Sequence, residues 1–143
     1  MKNSMHNHPL HPALVHFPIA CWSLATVGDI ASLFIDGDLW KISGILLAIG
    51  SLTALLAMLT GLLELVKIDE HSPAMRVVNM HMILVIIAWC FYTISLFSRY
   101  ESNQLTTPGL LETGLSLMGF VFLCAAGWLG ATLVYSHKVG VKR

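Results

Sequence analysis

Four uninterrupted apolar runs constrain this chain more than any other feature, because each can cross roughly 30 Å of hydrocarbon as a helix of about 20 residues. They extend from Pro12 to Ile35, from about Ile42 to Val66, from about Val77 to Phe97 and from Leu110 to Tyr135. Lipid offers no hydrogen-bond partner, so each run must satisfy its own backbone and is helical. A barrel would show short alternating strands, and these runs are continuous. The expected architecture is all-α: residues 1–143 as a single domain, an integral membrane bundle of four antiparallel transmembrane helices.

Composition agrees. The chain is 56% hydrophobic and only 11% charged, where a soluble domain carries roughly a quarter charged residues. Eight Lys and Arg balance eight Asp and Glu, so no basic field points to nucleic acid. Cys21, Cys90 and Cys124 stand singly in apolar segments and are expected to be buried and inert. No small-residue cleavage site closes an early apolar run, so the His-rich start does not resemble a signal peptide.

The breakers fall between the runs. Asp36-Gly37-Asp38 is expected to form a tight turn, and Lys67–Pro73 and Glu101–Pro108 polar loops. Connections this short make neighbouring helices antiparallel. The pairs Gly44/Ala48, Gly50/Ala54, Ala57/Gly61 and Ala126/Gly130 have the small-xxx-small spacing that lets membrane helices approach closely. Lys2, Lys67, Arg76, Lys138, Lys142 and Arg143 fall on the face that holds both termini, against Lys41 and Arg99 opposite. The positive-inside rule then places both termini in the cytoplasm, and Trp40, Tyr100 and Tyr135 suit an aromatic belt.

Four crossings also gather all seven histidines at the terminal face. His16 and His81 lie roughly 6 Å inside their helix starts at 1.5 Å per residue. His11 and His137 lie at the rim, and Glu64 is the acid at comparable depth. Gly61 and Gly130, equally deep, leave space for a ligand. Ionisable groups inside a membrane are costly to bury, which makes such a cluster a candidate site. Single histidines near helix ends are more often interfacial, the simpler reading for His6, His8 and His71. Asp29 reads as a buried polar contact, and Asn79, Met75, Met80 and Met82 as packing.

The sequence His11-Pro-Ala-Leu-Val-His16-Phe-Pro-Ile-Ala20 resembles the opening HPxxVHFP motif of the small bacterial membrane proteins catalogued as domain of unknown function 2231. Thr60-Gly-Leu-Leu-Glu64 is similar to that family's second-helix ending, where Asp is more usual. His81 matches a histidine early in its third helix. Gly127 to Val141 resembles its closing pattern, with Leu129 and Lys138 where glycines are expected. The resemblance implies a bacterial inner-membrane location and a redox setting, since relatives occur joined to Rieske iron–sulphur or cytochrome c modules.

The leading expectation is a b-type haem subunit passing electrons within the membrane, without substrate turnover of its own. Haem needs axial ligands from separate helices, and His16 and His81 meet that need on paper, with His11 and His137 as a second pair. Arg76, Lys67 and Lys138 are cations suited to propionates. Redox partner proteins, a quinone, or a homo- or hetero-oligomer are the partners such a subunit would take besides the lipid bilayer. The alternatives are a non-haem iron or zinc site drawing on His16, His81, His11, His137 and Glu64, and a cofactor-free structural or assembly subunit.

Overall fold

The computed structural model describes residues 10–66 and 68–140. Lys2, His6, His8, Lys67, Lys142 and Arg143 lie outside them. Five helices build four spans: α1 (Leu10–Leu14) and α2 (His16–Ser32) share the first, followed by α3 (Leu39–Leu65), α4 (Ala74–Ser98) and α5 (Leu110–Tyr135). The short strands β1 (Tyr100–Glu101) and β2 (Gln104–Leu105) join the last two helices.

The first span is divided at Val15 by Pro18. A proline cannot donate to the carbonyl four residues back, here Leu14, and its ring crowds that carbonyl. Flanking bonds from Val15 N–H to the His11 carbonyl and from Ile19 N–H to the Val15 carbonyl carry the chain across the break. Helix bounds differ from expectation by a few residues. α3 and α4 each begin about a turn early, at Leu39 and Ala74, because Leu39, Lys41, Ala74, Met75 and Arg76 are good helix formers that extend the helix beyond the apolar run.

Burial is inverted relative to a water-soluble bundle. Small and polar residues fill the interior: Ala25, Ala54, Ala88 and Ala126 with Thr26, Ser43, Ser95 and Ser116. The exterior carries large apolar side chains such as Phe34, Leu63, Phe97 and Trp128. Lipid is as apolar as leucine, so association rests on close approach of small residues and on interhelical hydrogen bonds. The same logic corrects the cysteine expectation. Cys90 and Cys124 are exposed on the bundle exterior, because facing lipid costs a thiol nothing. α2 packs chiefly on α3 and α4 on α5, while α2–α5 and α3–α4 form smaller interfaces of similar extent.

Glu101–Pro108 is not a plain loop. Tyr100 pairs with Leu105 and Glu101 with Gln104 in an antiparallel ribbon, turned by Ser102 and Asn103 with φ of 49° and 62°. Two successive positive φ angles are the mark of a type I′ hairpin turn. Thr106 donates both its N–H and its hydroxyl to the Arg99 carbonyl, at 2.7 and 3.0 Å. Leu105 folds back onto Gly44, where a Cβ would come within 2.7 Å of it. At the other end, α5 closes with the Val139 N–H donated back to the Leu133 carbonyl, and Val139 packs against the cluster of Ala74, Val78 and Leu133. Lys138 sits at the left-handed position of that cap with φ of 55°, which explains physically why glycine suits this place.

Candidate functional site

The inward face of the first span is set by His11, Pro18, Trp22, Ala25 and Asp29, at steps of seven, four, three and four residues. At about 100° per residue these steps keep one face toward the bundle. His16 is roughly 140° away from His11 by the same count, and the structure places it on the exposed side. Its Nδ1 approaches only the Ala13 carbonyl of its own span, at 3.4 Å. The expected His16–His81 pair is therefore corrected: the histidine that turns inward from the first span is His11.

His11 and His81 are held in the same way. Nδ1 of His11 lies 2.8 Å from the Ala57 carbonyl on α3, and Nδ1 of His81 lies 2.8 Å from the Ala126 carbonyl on α5. A carbonyl only accepts, so each Nδ1 carries the proton and donates it, and each Nε2 keeps its lone pair. Both rings lie against glycine. A Cβ on Gly61 would stand 3.0 Å from Cε1 of His11, and one on Gly130 would stand 3.4 Å from Cε1 of His81. The space attributed to Gly61 and Gly130 is thus filled by the imidazoles themselves rather than kept for a ligand. Both rings are half-buried.

The remaining candidates stand apart from this pair. His137 is exposed just past α5 and lines an open groove with Arg76, Glu70, Asn79 and Met80. Met75 and Met82 pack beside Ala74, Val78 and Leu133, as expected of them. Glu64 is half-buried near the end of α3. Among the described residues no three His, Cys, Asp or Glu side chains come together as a metal-holding group, so the five-residue set of His16, His81, His11, His137 and Glu64 is not assembled.

The opposite end of the same inward face holds a polar network. Arg99 donates through Nη1 and Nη2 to both carboxylate oxygens of Asp29, each at 2.8 Å, with both side chains wholly buried. Arg99 also donates to the Ser95 hydroxyl at 2.8 Å and the Ser95 carbonyl at 3.1 Å. The Ser116 hydroxyl donates to Asp29 at 2.7 Å. Between the two ends, Trp22 stacks on Tyr92 with ring centroids 4.7 Å apart and planes 13° apart, and the Tyr92 hydroxyl meets that of Thr26 at 3.0 Å. Asp29 is the buried contact the sequence suggested. Its partner is Arg99, and the sequence signal for that pairing is weak: a bidentate carboxylate contact calls for an arginine, and the chain carries three.

A family model described as "Predicted membrane protein (DUF2231)" matches residues 7–143. No curated protein and no solved structure matches the chain.

Proposed function

The chain belongs to the DUF2231 family of predicted membrane proteins, and we propose that it is a membrane-embedded b-type haem subunit that passes single electrons, with His11 and His81 as the axial ligands. The observation that carries this reading is the shared imidazole geometry. Each Nδ1–H is donated to a backbone carbonyl at 2.8 Å, the outer contact that fixes ring orientation and tautomer in metal-binding histidines and leaves Nε2 as the ligand atom. The two rings come from separate helix pairs, as axial ligation of a planar macrocycle requires.

The number of donors favours haem over a bare ion. Zinc takes four protein ligands in a structural site and three in a catalytic one, whereas haem brings four nitrogens of its own and asks the protein for two. Arg76 and Lys138, exposed at the same rim, are the cations suited to the propionates. The haem would supply reversible one-electron chemistry; the chain's own residues orient the two imidazoles and keep the site at the edge of the apolar bundle.

A bacterial inner-membrane location with cytoplasmic termini completes the proposal. Arg99 is buried against Asp29, which leaves Lys41 as the basic surface residue on the far side among those described. That widens the charge bias toward the terminal face. The electron donor or acceptor is then a quinone or a redox protein reached from that face.

The test is direct. The full chain, expressed with sufficient haem and purified in detergent, is expected to show a Soret band and a reduced-minus-oxidised spectrum of six-coordinate low-spin haem b. The absence of any Soret absorbance overturns the reading. Stoichiometric iron or zinc without porphyrin would instead favour the non-haem alternative.

A further inference from the structure

We infer that this chain is two fused copies of one helix pair, arranged around an axis along the membrane normal, and that the His11/His81 site straddles that axis so that its ligand meets two equivalent protein faces. The observations are correspondences of position and of contact. In the first helix of each half, His11, Trp22 and Asp29 answer to His81, Tyr92 and Arg99, at the interval of 70 residues that separates the buried ion pair. In the second helix of each half, Gly50, Ala57 and Gly61 answer to Gly119, Ala126 and Gly130 at an interval one residue shorter.

Helical periodicity alone would give inward residues at such steps in any bundle. It does not dictate that their chemistry and their partners coincide, and for the histidines and the inward aromatics both do. Each histidine donates to the carbonyl of an alanine 46 or 45 residues downstream, and each rests on the glycine four residues beyond that alanine. Each inward aromatic covers the matching glycine: Trp22 lies 2.7 Å from a Cβ placed on Gly50, and Tyr92 lies 2.9 Å from one on Gly119.

Contacts between the halves follow the same axis. Residues that answer to each other touch each other, Trp22 stacked on Tyr92 and Asp29 paired with Arg99, as residues on a two-fold axis must. The interfaces that the axis would exchange, α2–α5 and α3–α4, are similar in extent, and the larger interface of the whole first span (α1 with α2) on α3 is similar to that of α4 on α5. The two halves begin on the same face, so the repeat is parallel rather than inverted. The axis runs through the ion pair at one end and the aromatic stack in the middle, with His11 and His81 as the answering pair at the other.

A site so placed suits a planar ligand whose two faces are chemically alike, a metal macrocycle with two axial positions. The duplication stands without the haem reading; the equivalence of the two ligand faces rests on it. The test uses the full chain in detergent. D29R and R99D each are expected to abolish monodisperse protein or to lower the unfolding midpoint by at least about 10 °C. The double reversal D29R/R99D is expected to recover most of that loss, because the axis makes the two positions exchangeable. A double reversal no more stable than the worse single change overturns the duplication.

Haem spectra of H11A and H81A probe the site. Both are expected to convert the six-coordinate low-spin spectrum to a five-coordinate high-spin one, with added imidazole restoring each. Loss of a ligand in only one of the two overturns the two-fold site while leaving haem binding intact. A wild-type chain without haem overturns the proposed function, and the charge reversal then decides the duplication alone.

Discussion

The two ends of the inward face make opposite uses of polar groups on one scaffold. At the far end, Asp29 and Arg99 are wholly buried, and the carboxylate, the guanidinium and two serine hydroxyls answer one another. At the terminal end, His11 and His81 are half-buried, each committed through one nitrogen and open at the other. A saturated network holds structure and has nothing left to give a ligand. An oriented but unsaturated pair contributes little to the fold and is free to bind. Depth in the membrane did not separate the two; the count of satisfied valences does.

Substitutions can break that contrast, and the largest effect is expected at the far end. Arg99→Ala leaves a buried carboxylate without its cation and is expected to cost about 3–5 kcal/mol, read as a lowered unfolding midpoint in detergent. A smaller loss than from any histidine change would reverse the assignment of the two ends. Next, Gly61→Ala forces its methyl against the His11 ring at 3.0 Å and is expected to cost about 1–3 kcal/mol. It should also disturb bound haem more than Gly130→Ala, whose contact is 3.4 Å; Gly114→Ala and Gly127→Ala, which meet nothing within 4 Å, serve as controls.

The smaller effects sharpen the terminal end. His81→Ala removes one hydrogen bond and is expected to cost only about 1 kcal/mol in stability while abolishing the low-spin haem spectrum. His16→Ala is expected to leave that spectrum unchanged; a loss equal to that of His11→Ala would restore the pairing expected from sequence. Lys138→Gly relieves a side chain from the left-handed region and is expected to raise stability by about 1 kcal/mol, measured as a shift of the midpoint by a few degrees.

The four crossings were legible in the sequence because lipid allows a long apolar run hardly any other form. The orientation of each helix was far less so, since a bundle whose exterior is as apolar as its interior lacks the polar face that marks a soluble helix. Depth alone points to His16, yet the sequence also carries a signal for His11. Asp29 must face inward, and His11 precedes it by eighteen residues, five whole helical turns. The same step links His81 to Arg99. The hairpin is hard to read from sequence because Ser102-Asn103 lacks the glycine that usually announces such a turn, although asparagine tolerates the left-handed region.

The ion pair also has a consequence for how the protein is made. Asp29 enters the membrane with the first helix pair, whereas Arg99 is synthesised seventy residues later, at the end of the third helix. Until then the carboxyl has no cation and sits in a helix that lipid disfavours. Arrival of the third helix supplies the cation, so the buried pair can close only once the chain has been made as far as Arg99.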